Sequence, residues 1–338
     1  MTNTLDILRR SISELKRCGI KSAEIDAKLL LEKSISKDDV FIFSHPEYLL
    51  TNQEYTRFRR LIRRRKTGEP IAYILGHKEF YGNDFIINKN VLIPRPETEW
   101  LVERGVEFIR SKCHPEPMPA GRQVVSGSHH NEEILKPIRQ AQGVSGIESR
   151  VQHDKIDVLD IGTGSGCIII SLAKELTTCL PVGMAYNLQL NKNFYACDIS
   201  GKAIGVAKKN SKLHKVDNYV KFYISNLFSN RFLNKKFDLI TANLPYVPTP
   251  PQNKIKGKEE IDFEPQKAIF ANDNGTEIIK NFLEQAKNHT SPKGLILLEL
   301  DPRNAKEILS FAETHYSSAT INLITDLAGL DRYLEIKK

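Results

Sequence analysis

Cysteine is sparse and scattered in this chain. Its five thiols (Cys18, Cys113, Cys167, Cys179, Cys197) form no Cys-x-x-Cys pair. That excludes a zinc ribbon or a disulfide frame and leaves the reduced thiols of a cytoplasmic protein. No run approaches the ~18 apolar residues of a membrane span, so no membrane association is expected. Residues 1–20 lack the apolar stretch of a secretory leader. The one histidine pair, His129-His130, has no Cys or Asp nearby, so no metal is expected. No Lys-Ser/Thr follows the main Gly-rich stretch, which excludes a triphosphate P-loop, and the dinucleotide spacing G-x-G-x-x-G is missing too.

What is present is ordinary for a globular chain: 338 residues, 40% hydrophobic and 27% charged. This length accommodates one large or two medium domains. A net charge of +8 and a pI near 9.1 suit a partner rich in phosphate or carboxylate, without demonstrating one.

Residues 1–75 read as helices. Leu5, Leu8, Ile12 and Leu15 recur at helical spacing and Cys18-Gly19 closes that segment. Ser22 to Lys33 follows, with Ile25, Leu29 and Leu30 as its apolar face, and Ser36–Asp39 starts a short helix. Thr51–Glu54 caps a longer one carrying Arg57, Arg59, Arg60, Arg63, Arg64, Arg65 and Lys66. Such a face is either simply solvated or a docking surface for an acidic or RNA-associated macromolecule. Gly82-Asn83 between β-prone runs reads as a hairpin turn, and Asn88-Lys89-Asn90 as a second turn. Pro94-Arg95-Pro96-Glu97-Thr98-Glu99 then stiffens the chain before a helix over 98–109, as a hinge walling an active site or as a plain linker. Residues 112–155 show no sustained apolar period and read as a flexible insertion. The expected division is a helical domain (1–76), a hairpin and hinge connector (77–111), the insertion (112–155) and a catalytic domain (156–338).

The catalytic part is organised around Val158-Leu159-Asp160-Ile161-Gly162-Thr163-Gly164-Ser165-Gly166-Cys167-Ile168. An apolar strand enters a turn with glycine at alternate positions and continues into a helix. Glycines allow a sharp turn and close ligand approach, and the helix N-terminus offers unpaired N–H groups. A second strand, Phe194–Cys197, ends in Asp198, where doubly wound folds grip a ribose diol. As a plainer alternative, Asp198 caps a helix over 199–210. Residues 177–193 read as an enlarged loop. The strand Val220–Ile224 leads to Ser225-Asn226-Leu227, and the strand Phe237–Ala242 to Asn243-Leu244-Pro245-Tyr246. The Asn243 side-chain oxygen and the Leu244 carbonyl can accept both N–H bonds of a planar NH2 group. That aims the nitrogen at an incoming methyl, a catalysis of positioning. Pro245 stiffens the turn and removes a competing donor, and the Tyr246 ring can stack on a planar amide.

Asp160 followed by Gly-x-Gly-x-Gly resembles motif I of the S-adenosylmethionine-dependent methyltransferases. Taken with Gly68-Glu69-Pro70, Tyr73–Gly76, Leu92–Glu99 and Asn243–Tyr246, the chain resembles the HemK/PrmC protein-glutamine N5-methyltransferases over nearly its whole length. The resemblance implies an α/β, Rossmann-like seven-strand methyltransferase domain preceded by a small helical domain. It implies a cytoplasmic monomer that methylates the glutamine in the Gly-Gly-Gln loop of a class-1 peptide chain release factor. S-adenosyl-L-methionine is then the donor and S-adenosyl-L-homocysteine the product. The resemblance implies that the helical domain helps hold the factor, while the charges of the basic helix 57–66 by themselves suit ribosome or RNA proximity. Gly162, Thr163, Gly164, Ser165 and Gly166 are implied to hold the cofactor, Asp198 its ribose, and Asn226 and Leu227 its adenine side, with Asn243 alongside. Asn243 to Tyr246 are implied to be catalytic and, with Glu264 and Pro265 in a pocket wall, to bind substrate.

The chain departs from the family pattern in three places. Leu244 stands where Pro is usual, Asn226 where Asp is common, and Glu299-Leu300-Asp301 replaces Glu-Ile-Gly. Asn-Leu-Pro-Tyr also resembles the adenine-N6 methyltransferases of RNA and DNA, whose exocyclic NH2 poses the same problem. The pattern is further compatible with a ribosomal-protein glutamine as acceptor, and with a noncatalytic RNA-binding role.

Overall fold

The computed structural model describes residues 3–113, 155–178, 192–248 and 260–338. Most of the expected insertion, His129-His130 and most of the enlarged loop therefore lie outside the described residues.

The N-terminal part folds as α1 (Thr4–Arg17), α2 (Ala23–Ile35), α3 (Asp39–Ser44), α4 (Asn52–Lys66) and α5 (Ile71–Leu75). Local chemistry sets their starts. Asn3 accepts from the Asp6 N–H at the head of α1, and Thr51 and Glu54 form a reciprocal capping box on α4. Ile7, Leu8 and Leu15 of α1 meet Leu30 and Leu31 of α2 and Phe58, Leu61 and Ile62 of α4 in one core. Ile25 was expected on the apolar face of α2 but is 62% exposed. The buried stripe runs instead through Ala23, Ala27, Leu30 and Leu31, on the opposite side of the helix.

The hairpin β1 (His77–Phe80) and β2 (Asn83–Ile86) follows. Its turn is Tyr81-Gly82, one residue earlier than expected, with φ of 51° and 67°. Positive φ at both central residues gives the twist a two-residue hairpin needs. A bond from the Tyr81 N–H to Glu99 (2.9 Å) holds the tyrosine in this uncommon conformation.

A seven-stranded sheet forms the second part. Its strands are β3 (Ile156–Ile161), β4 (Lys192–Asp198), β5 (Val220–Ile224), β6 (Phe237–Ala242), β9 (Thr290–Glu299), β10 (Thr320–Thr325) and β11 (Asp331–Lys337). A small separate pair, β7 (Val247–Pro248) and β8 (Phe270–Ala271), lies between β6 and β9 in the chain. The order in the sheet is β10-β11-β9-β6-β3-β4-β5, parallel except for β11, which runs antiparallel to both its neighbours. β3 is buried along its whole length and pairs with β4 on one side and β6 on the other. The chain reverses direction across the sheet there, so the carboxyl end of β3 is the switch point where such folds bind ligands.

Helices cover both faces. α6 (Glu99–Cys113), α7 (Cys167–Thr178) and α8 (Gly201–Leu213) share a core with Val158 and Leu239. α10 (Glu277–His289) and α11 (Ala305–His315) share the other with Leu159 and Ile161, while α9 (Gln266–Ile269) is a single turn. α6 thus packs as a sheet-covering helix although its sequence falls in the connector. Gly105 lets it come close, because a Cβ there would lie 3.0 Å from both Leu172 and Leu239 side chains.

Candidate active site

A cavity of about 870 Å³ opens at the carboxyl ends of β3 to β6, within the usual range for a small-molecule site. Its floor is the glycine turn. Gly162, Gly164 and Gly166 have φ of 73°, 55° and 83°, a region that L side chains rarely enter. The Gly162 and Thr163 N–H groups both donate to the Cys197 carbonyl at 2.9 Å, and Gly164 donates to Asp198 Oδ2 at 3.0 Å. The turn is therefore clamped to the end of β4. Gly162, Thr163, Gly164 and Ser165 line the cavity. Gly166 lies buried behind them, where a Cβ would meet Ile170 at 2.8 Å and Ala207 at 3.1 Å. Its role is the close packing of α7 on α8.

Asp198 lines the cavity and is not the cap of α8. Ser200 is that cap, accepting from the Ala203 N–H, while Asp198 Oδ1 accepts from Ser200 itself at 2.8 Å. Each carboxylate oxygen thus takes one backbone donor and keeps further acceptor capacity for a ligand hydroxyl. Burial pushes its pKa up, against the two N–H groups that hold it down. Beneath the turn, Asp160 is fully buried and accepts from the Thr241 hydroxyl at 2.8 Å. Burial raises it to about 7. Cys167 touches the cavity, but burial pushes its thiol up to about 12, so it is no nucleophile.

Ser225, Asn226 and Leu227 form the next edge. The Ser225 hydroxyl donates to the Leu227 carbonyl at 2.7 Å, with Leu227 at a φ of 50°. The exposed Asn226 side chain has no bond to any described residue.

Asn243, Leu244 and Pro245 close the site beside the glycine turn. A Cβ on Gly162 would lie 3.0 Å from Leu244 Cδ2 and 3.6 Å from the Asn243 carbonyl oxygen. Leu244 is buried and fills this contact. Asn243 Nδ2 donates to Glu299 Oε2 at 2.9 Å and lies 3.1 Å from Thr98 Oγ1. The Tyr246 hydroxyl donates to Glu299 Oε1 at 3.1 Å. Burial first, and the neighbouring carboxylate second, keep that phenol protonated. Tyr246 therefore braces the turn from behind and does not line the cavity.

The hinge forms the opposite wall through Lys89 to Leu92, Pro94, Arg95 and Thr98. Pro265 lines the cavity but Glu264 does not. The Glu264 carboxylate is buried in the hinge, accepting from Arg95 Nη2 at 2.5 Å and from the Ile93 N–H at 3.0 Å. Expected to touch substrate, it instead fastens the two walls to each other.

Glu299 and Gly275 support the site although sequence reasoning gave neither a role, and Thr98, expected only as part of the hinge, reaches Asn243. Glu299 stood out only as part of a departing tripeptide. Gly275, in Asn272-Asp273-Asn274-Gly275, carries a turn signal, but its partner is remote. A Cβ there would lie 2.0 Å from the Tyr246 carbonyl oxygen, so only glycine lets the two loops pass. Asn304 Nδ2 then joins them, donating to Asn274 O at 2.7 Å and Tyr246 O at 3.3 Å. The other departure, Asp301, pairs with Arg303 and forms the turn that delivers Asn304.

The residues present fit a nucleoside linked to an amino acid. Bare glycine backbone and a helix N-terminus face one end, a carboxylate suits a diol in the middle, and Asn226 and Leu227 flank the far edge. No cluster of potential metal ligands occurs among the described residues. No described helix is long and apolar enough to cross a membrane.

Residues 6–76 match the family model of the PrmC N-terminal domain, and residues 152–298 match a methyltransferase-domain model. The chain is 31% identical over 328 residues to the release factor glutamine methyltransferase of Koribacter versatilis, covering 97% of this chain and 96% of that protein. It is 32% identical over 331 residues to the bifunctional methyltransferase of Rickettsia bellii, covering 97% of this chain and 54% of that protein. The chain thus spans about half the length of the bifunctional relatives it matches. Among solved structures, the ribosomal protein L11 methylase of Lactobacillus delbrueckii subsp. bulgaricus aligns with a TM-score of 0.41 at 17% identity, over 77% of this chain and 88% of that one.

Proposed function

We propose that this chain, which belongs to the family of release factor glutamine methyltransferases, methylates N5 of the glutamine in the Gly-Gly-Gln loop of a class-1 release factor. S-adenosyl-L-methionine is its donor. The observation that supports the reading is that Asn243 and Leu244 line the same cavity as the turn from Gly162 to Ser165, with the Leu244 side chain packed toward Gly162.

When bound, the donor supplies a methyl on a sulfonium, whose leaving group is a neutral thioether. No acid is needed to expel it, and the residues' task is to position a weakly nucleophilic amide nitrogen. Asn243 Oδ1 and the Leu244 carbonyl accept its two N–H bonds. The nitrogen's remaining face is thereby turned toward the donor. Asp198 holds the ribose, Asn226 and Leu227 the adenine edge, and the turn from Gly162 to Ser165 the amino-acid end. This is catalysis by orientation and fixed dipoles.

The basic helix supports a narrower partner reading than its sequence suggested. Arg59 and Lys66 pair with Glu14, Arg64 with Glu69, and Arg65 with Asp26 and Glu260. Arg57, Arg60 and Arg63 remain exposed for an acidic partner.

The test is transfer of labelled methyl to a purified release factor, beside a factor with its loop glutamine replaced and beside ribosomal RNA. Label confined to the intact factor is expected. Label on RNA, or on the glutamine-free factor, refutes the assignment.

A further inference from the structure

Glu299 ends β9 only 1% exposed, and it lines no part of the cavity. Burying a carboxylate is costly, and an apolar residue of similar size is often as good or better for stability. Here it has no ion-pair partner among the described residues. Its only hydrogen-bond partners there are three donors: Thr98 Oγ1 at 2.6 Å, Asn243 Nδ2 at 2.9 Å and the Tyr246 hydroxyl at 3.1 Å. Two of the three belong to the tetrapeptide that closes the site, and the third to the hinge.

The two ends of an asparagine amide are nearly the same size, so packing does not decide which faces the cavity; hydrogen bonding does. An ionised carboxylate only accepts. Facing Asn243 at 2.9 Å, it favours Nδ2 on its own side and disfavours Oδ1 there, lone pair against lone pair. The opposite orientation would present an NH2 group to the substrate's own NH2 group, donor against donor.

We propose that Glu299 is a positioning residue that selects the amide orientation of Asn243, turning Oδ1 toward the glutamine amide. It acts one bond away from the substrate and touches neither substrate nor donor. This role rests on the reading of Asn243 as an acceptor for the substrate amide.

The test is an exchange of polarity between the two residues. Glu299→Gln can present an NH2 group to Asn243 and release the amide to turn over. Turnover is expected to fall roughly tenfold or more, with donor affinity unchanged. Asn243→Asp sets two carboxylates against each other and is expected to fall further. In the double variant the amide introduced at position 299 donates to one oxygen of the carboxylate introduced at position 243, leaving the other oxygen free to accept from substrate. The carbonyl end of that new amide can still accept from Tyr246.

The double variant is therefore expected to recover at least about tenfold over Asn243→Asp alone, a gain that independent structural damage does not produce. Donor binding by calorimetry and melting temperature accompany each assay. Wild-type turnover in Glu299→Gln, or a double variant no more active than Asn243→Asp, overturns the proposal. Failure of the parent protein to label the loop glutamine overturns the functional reading and this role with it. Parent turnover without rescue removes the role of Glu299 alone.

Discussion

Asp160 and Glu299 are buried carboxyls 0% and 1% exposed, and neither makes a salt bridge among the described residues, although Arg332 acts on Glu299 through space. Both are raised, chiefly by burial, but they face different donors. Asp160 has Thr241 and lies under the glycine turn, so its charge bears on stability. Its folded-state value of about 7 exceeds the ordinary 3.8, so the folded protein keeps this proton where the unfolded chain has lost it. The resulting stabilisation is whole below about pH 4 and is lost as the pH rises through about 7. Asp160→Asn keeps an acceptor for Thr241 and never ionises. Melted without cofactor, this variant should gain on the parent in melting temperature as the pH is raised from about 5 to about 8. A difference independent of pH would show that Asp160 titrates normally. At this scale the sequence exposed groups that line the cavity, because glycines, an acid at a strand end and Asn-x-Pro are local signals. It could not expose Thr98 or Glu299, which reach Asn243 from 145 and 56 positions away.

The hinge shows how an element acquires a function that its own residues do not announce. Pro94 to Thr98 is short and stiff, yet its position depends on Glu264, some 170 positions later. That carboxylate is almost fully buried, whereas the Arg95 side chain is 40% exposed. Removing Arg95 leaves the buried charge with one backbone donor. Discounting for the exposure of the arginine, Arg95→Ala should cost roughly 1–3 kcal/mol in chemical denaturation. Because Pro94 and Arg95 also wall the cavity, the KM for the methyl donor should rise in the same variant. Unchanged stability and KM would mean that the proline ring geometry alone holds the wall. Element order was legible because βα alternation leaves contrasting periods, and β5 and β6 fall where their apolar runs place them. Boundaries were less so. The hairpin turn shifts to Tyr81-Gly82 under the pull of Glu99, and the cap of α8 is Ser200 because Asp198 is engaged with the glycine turn.

Across the whole molecule the charge is unevenly placed. Residues 1–76 carry fifteen Lys and Arg against ten Asp and Glu, so five of the eight net positive charges sit in the helical domain. Pairing within the domain engages negative charges along with positive ones and leaves that excess in place, while Arg65 is buried between Asp26 of α2 and Glu260 of the catalytic domain. Arg9, Arg10 and Arg17 of α1 stay exposed beside Lys66, around a shallow groove between α1 and α4. Surface charge of this kind changes encounter and register more than the chemical step, and salt screens it beyond roughly 8–10 Å. If the helical domain receives the release factor, Arg9→Glu with Arg10→Glu should raise the KM for that substrate severalfold at low salt. The effect should shrink toward physiological ionic strength. Turnover at saturation and donor affinity should not move, since both arginines are remote from the cavity lining. Stability should fall by no more than about 1 kcal/mol, because these side chains are exposed but an acid at position 10 stands four residues from both Asp6 and Glu14. An unchanged KM at low salt would assign the positive face to some other partner and leave recognition of the factor to the hinge and the catalytic domain.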